Sequence, residues 1–108
     1  MRYQQVFPAN RSDQEAQNVI AQYLSQEGFT STQYKGEAVW KKGMGFFAGP
    51  QYIKAYCQNG QVHLEAWMRF ALFPGVYVGE MGINGIVGGL PKKMLRDRVK
   101  MLTQLLQG

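Results

Sequence analysis

Cys57 and His63 are the one thiol and the one imidazole of the chain, six residues apart. A thiol beside an imidazole is the pairing of covalent catalysts, because the base makes the thiolate accessible near neutral pH. Whether they meet depends on register. Asn59-Gly60 separates two alternating runs, 51–58 and 61–70, and this dipeptide favours a two-residue hairpin turn that needs positive φ twice. Such a turn sets Gln58 opposite Gln61, and each earlier residue pairs with one later. One face then reads Cys57/Val62, Ala55/Leu64 and Ile53/Ala66, continuing to Met68 and Phe70. His63 falls on the other face, opposite Tyr56. Side chains of opposite parity leave opposite faces of a strand, so the pair is not expected to meet. Cys57 reads as a buried structural thiol. A single Cys and a single His do not make a zinc site within one chain. No metal and no cofactor is expected.

Carboxylates can do acid–base work when paired. Glu37, Glu65 and Glu80 fall on extended segments. Lys54 lies opposite Glu65 and offers it a partner, whereas Glu80 sits in an apolar, glycine-rich stretch and reads as an ion-pair partner or cap. Six glycines between Gly75 and Gly89 run into a helix start with Lys92 and Lys93. Glycine-rich loops feeding a helix can hold phosphate on backbone N–H groups. Neither phosphate-binding fingerprint is present, so turn and packing glycines are the plainer reading. An anion site at Gly88, Gly89, Lys92 and Lys93 stands as a minor expectation.

The face opposite Cys57 carries Tyr52, Lys54, Tyr56, His63, Trp67 and Arg69. Solvated sheet faces rarely hold two tyrosines and a tryptophan together. Such a face can contact a protein or ligand, stack nucleic-acid bases, or lie under another part of the chain. The apolar segment 43–50 is the candidate cover.

The elements that position these residues follow from periodicity. Ser12-Asp13-Gln14-Glu15 is a capping-box pattern, followed by Ala16, Val19, Ile20, Tyr23 and Leu24 at helical spacing and then Gly28. This predicts a helix over 13–27. Pro91 at a first helical position and the stripe Met94, Leu95, Val99, Leu102, Leu105 and Leu106 predict a second over 91–107. Residues 2–7 read as a first strand. Residues 29–35 and 36–42 are extended pieces meeting at a kink or tight turn near Gly36, and 76–83 is a last strand interrupted by Gly79 and Gly82. The expected fold is α+β: a single antiparallel sheet of about 4–6 strands with both helices on one face, in the order β-α-β-β-β-β-α. The alternation over 37–42 leaves open which side Trp40 takes.

With 108 residues, 45% hydrophobic and 18% charged, the chain has the composition of one globular domain, 1–108. The N-terminal run shows no apolar leader, and the longest nearly apolar stretch, 70–78, is too short to span a membrane. A single cysteine fits a reducing compartment, so a cytoplasmic location is expected. The net charge is +5, of which residues 92–108 carry +4. That concentration makes the second helix the basic element, either as the solvated side of an amphipathic helix or as a phosphate footprint.

The order strand, helix, strands, helix resembles one half of the TATA-box-binding-protein-like fold, and also helix-grip domains. The saddle of the former uses two such halves, which here implies a dimer. The runs Glu65-Ala66-Trp67, Gly79-Glu80 and Pro91-Lys92-Lys93 are similar to small bacterial domains without an assigned activity. Fold likeness does not transfer function. The residues themselves favour a non-enzymatic binding or interaction domain, with a protein partner, self-association or a small ligand at the aromatic sheet face. A nucleic-acid-binding module using that face or the basic helix is the alternative. An enzyme comes third, because no catalytic constellation assembles.

Overall fold

Two tight turns, a helix capped at both ends and a second helix organise the chain around one antiparallel sheet. A computed structural model describes residues 2–43, 50–73, 76–81 and 89–107, the side chains of 70–73, 76–81 and 89–94 excepted. The elements are β1 (Tyr3–Pro8), α1 (Asp13–Gln26), β2 (Thr30–Tyr34), β3 (Glu37–Lys42), β4 (Gln51–Gln58), β5 (Gln61–Phe73), β6 (Val76–Met81) and α2 (Gly89–Gln107). The sheet runs β1-β5-β4-β3-β2, all antiparallel, and β6 pairs with β5 beyond β1. The α+β class and the single sheet with two helices agree with expectation. Among the described residues the sheet has six strands, within the expected 4–6 and one more than the expected order, because the two extended pieces around Gly36 are separate. Lys35 and Gly36 take φ of 49° and 82° and form a two-residue turn, so β2 and β3 are a second hairpin.

Helix α1 is built as its caps dictate. The Ser12 hydroxyl accepts from the Glu15 amide at 3.2 Å and donates to the Glu15 carboxylate at 2.9 Å. At the other end Gly28 is left-handed, with φ of 89°. Its amide donates to the Ser25 carbonyl, and the Phe29 amide to the Leu24 carbonyl, closing a Schellman motif. Ala16, Ile20 and Leu24 of α1 and Leu95, Val99, Leu102 and Leu106 of α2 cover one face of the sheet, against Phe7, Ile53, Cys57, Val62, Leu64, Ala66 and Met68. The last carbonyls of α2 are taken up by the β1–α1 connection. Asn10 donates its amide to Leu106, and Arg11 its guanidinium to Leu105.

The Asn59-Gly60 turn is tied to α1 by a single carboxylate. Asp13 accepts from the Asn59 amide at 2.9 Å, from the Gly60 amide at 2.8 Å and from the Cys57 thiol at 3.3 Å. These bonds, that from Gly60 foremost, hold the Asp13 carboxyl below its ordinary value of 3.8. A group whose folded value is depressed stabilises the fold above its unfolded value, and that contribution drains away as pH falls through the folded one. Asp13→Ala is therefore expected to speed exchange of the Asn59 and Gly60 amides at neutral pH. In the wild type the same amides lose protection only under acid, below about pH 4. Exchange measured by NMR checks this; equal rates in variant and wild type at neutral pH would show that the carboxylate holds nothing.

Candidate functional site

The β4–β5 register sets Tyr52 opposite Trp67, Lys54 opposite Glu65 and Tyr56 opposite His63, while Cys57 pairs with Val62. All of these pairings were legible from Asn59-Gly60. Cys57 and His63 stand on opposite faces and do not meet. Burial first, and then the Asp13 carboxylate, push the Cys57 thiol above its ordinary value of 9.0, so it is held protonated.

The aromatic face divides in two. Its Tyr52–Trp67 half is buried, Trp67 at 0% and Tyr52 at 4% exposure, and offers no surface. With Tyr34 and Val39, brought over by the β2–β3 hairpin, these rings form a second small core on the side away from the helices. Tyr52 and Trp67 stack with centroids 5.4 Å apart, and Tyr34 packs against both at 4.5 and 5.6 Å. The guanidinium of Arg2 lies over the Trp67 ring, 3.7 Å from its centroid. It also donates to both oxygens of Glu37, at 3.1 and 2.8 Å, and to Glu65 at 3.1 Å. Lys54 completes the cluster on Glu37 at 3.0 Å. Lys54 and Glu65 are thus register neighbours whose ion-pair partners lie elsewhere. Of the segment 43–50, expected as the cover, residues 44–49 lie outside the described residues.

The other half of the face is partly exposed. Tyr56 and His63 stack with centroids 4.8 Å apart and planes 8° from parallel. Val6, paired with His63 across β1, is 57% exposed. Arg69 is partly buried, and its amide donates to the Pro50 carbonyl.

Beside this half opens a cleft of about 580 Å³ between α1 and the strands β3 and β4. Gln17, Asn18, Ile20 and Ala21 line it from the helix; Ala38, Val39 and Trp40 from β3; Lys54, Ala55 and Tyr56 from β4; and Ser31 from β2. Trp40 is partly buried against the helix-side core, which settles its side. The cleft exists because the β3–β4 ladder is short: Lys42–Gln51, Lys41–Tyr52 and Trp40–Ile53 pair, and the strands then part. Its lining combines apolar side chains with amide, hydroxyl and ammonium groups, and its volume lies in the range of small-ligand sites.

The remaining sequence candidates fall as follows. Gly88 lies outside the described residues, Gly89 opens α2, and the side chains of Lys92, Lys93 and Glu80 are not described. Arg98 on α2 is used internally, over the Phe29 ring and 3.4 Å from Glu27. Lys100 is exposed. No described helix is long and apolar enough to cross a membrane. The residues missed from sequence are Arg2 and Tyr34 in the clamp that Arg2, Glu37 and Glu65 form over Trp67, and Gln17 and Asn18 at the cleft; Glu37 was read only as a carboxylate on an extended segment, and Trp40 only as undecided in its side. The signal available for the first group was a hairpin at Lys35-Gly36, which places Tyr34 opposite Glu37.

Compared with family models, curated proteins and solved structures, the chain matches none. Its element order therefore brings no relative's activity with it.

The clamp has a pH signature. Hydrogen bonds from Arg2 first, and then from Lys54, draw the Glu37 carboxyl from 4.5 down to about 2. The depressed value means that its stabilisation is complete above about pH 5 and is lost as pH falls toward 2. Glu37→Gln is expected to lower the urea midpoint at neutral pH and to flatten its decline between about pH 5 and 3. Arg2→Ala should cost about 1–2 kcal/mol and red-shift Trp67 emission, read in a Trp40→Phe background. An unchanged midpoint and spectrum would mean that the clamp is ornamental.

Proposed function

We propose that the chain is a non-enzymatic binding domain whose ligand or partner occupies the cleft between α1, β3 and β4. One observation carries this reading. The sheet has apolar cores on both of its faces, yet it leaves an open cleft of about 580 Å³ where β3 and β4 part. A cleft of that size costs contacts that closing it would have supplied. Its lining also has the composition of a recognition site: an apolar floor from Ile20, Ala21 and Ala55, the rings of Trp40 and Tyr56, and polar groups at Gln17, Asn18 and Ser31.

Binding rather than catalysis is favoured by the charges present. Among the described lining residues Lys54 is the one charged group, and it is held by Glu37. The hydrogen bond to Glu37 raises its ordinary value of 10.5, which makes it a poor proton acceptor at neutral pH. The partly exposed Tyr56–His63 stack borders the cleft, so the reading keeps the exposed half of the aromatic face as part of the contact surface.

The test is an amide-resolved NMR titration with a panel of small aromatic amides and short capped peptides. Binders should move the signals of Ala21, Trp40 and Tyr56 together. Ala21→Phe, which fills the floor, should remove the response while leaving Trp67 emission in place. A panel without any response at those signals, or responses scattered over other surfaces, would sink the proposal.

A further inference from the structure

The two tight turns determine which backbone groups look into the cleft. Closing a two-residue hairpin makes the residues flanking the turn exchange both hydrogen bonds, and bonded pairs then recur at every second residue. From Gln58/Gln61, the pairs bonded between β4 and β5 are Tyr56/His63, Lys54/Glu65 and Tyr52/Trp67. Cys57, Ala55 and Ile53 therefore direct their N–H and C=O groups toward β3. From Tyr34/Glu37, the pairs bonded between β2 and β3 are Thr32/Val39 and Thr30/Lys41. Ala38, Trp40 and Lys42 therefore direct theirs toward β4. Lys42 meets Gln51, and Trp40 meets Ile53. The next pair in the series is Ala38 and Ala55, and there the ladder has ended, although β3 extends to Glu37 and β4 to Gln58.

Two strand edges thus face each other across the cleft with backbone donors and acceptors outside any ladder. We infer that the occupant of the cleft is an extended peptide segment, which adds as a short strand to the β4 edge at Ala55 and Cys57. The inference rests on the binding reading above and names its ligand class. A peptide backbone is the ligand whose alternating N–H and C=O groups match such an edge, and strand addition is a general recognition mode. The walls set the side-chain preference. Alternate residues of the added strand turn to opposite faces. One set meets Ile20, Ala21 and Trp40 on the helix side, which takes branched aliphatic side chains. The other lies over Tyr56 and Lys54. The added strand supplies Ala55 with partners that β3 does not.

The probe is the capped alternating peptide Thr-Val-Thr-Val-Thr, followed by NMR and amide exchange on the full chain. Binding is expected to protect the Ala55 and Cys57 amides and to shift Trp40. A copy N-methylated at its central amides should bind at least about tenfold more weakly, since it has lost backbone donors. Ala55→Pro removes the N–H that looks into the cleft but no bond to β5, so it should keep the Trp67 emission and lose the peptide. If that variant fails to fold, the N-methylated copy decides. Equal affinity for the methylated and unmethylated copies would overturn strand addition. So would aromatic amides moving Trp40 and Tyr56 while no peptide of the panel does, an outcome that leaves the binding reading intact. If neither class moves those signals, both inferences fall.

Discussion

Every placement in this molecule depends on the parity set by two turns of two residues each. Asn59-Gly60 and Lys35-Gly36 adopt the left-handed conformation at both positions, which closes each hairpin in one register. A slip of one residue would turn β4 over relative to β5, placing Lys54 beneath the helices and Ile53 on the outer face. The penalty for burying unpaired charge makes that alternative inaccessible. Asp13 adds a second constraint, because the helix cannot shift without releasing the turn it holds.

The outer face shows which forces dominate. Partly buried ion pairs contribute little each, about 0–1 kcal/mol when exposed and more when geometry is bidentate. An aromatic ring of the size of Trp67 buries about 150–250 Å², worth roughly 4–6 kcal/mol of apolar transfer. Burial of Trp67, Tyr52 and Tyr34 therefore drives the closure of this face, and Arg2 with Glu37 and Glu65 governs how it closes. The guanidinium suits that task because it lies over the indole, 3.7 Å from its centroid, and still presents a fork to Glu37. The arrangement also gives β3 a reason to follow β2 toward the outer core: Val39 is 2% exposed within it.

Local signals made much of this legible. The Ser12 cap, the Gly28 stop and Asn59-Gly60 are each written in adjacent residues, and they gave α1 and the β4–β5 register nearly to the residue. The Lys35-Gly36 turn was less readable, because lysine is not a residue that favours positive φ. The fate of the aromatic face was not readable at all from local pattern. It depends on Arg2 meeting Glu65 across 63 positions and Glu37 across 35. Trp40 was ambiguous for a related reason. A strand with cores on both sides loses the polar alternation that would have assigned its faces.

The cleft follows from the same residues. Cross-strand contacts hold neighbouring strands together, and an Ala–Ala pair supplies the least of them. Ala38 and Ala55 fall opposite each other at the point where the ladder ends, while Val39, next to Ala38, is drawn into the outer core. On that outer face the Lys54–Glu37 ion pair still spans the two strands, so the opening is toward α1 and is bounded rather than frayed. The sheet is open where its own side chains are too small to close it, and the backbone groups left there are those of a strand edge. Small side chains between the strands, α1 lining the cleft on one side and an ion pair on the other make the opening a consequence of sequence rather than of loose packing.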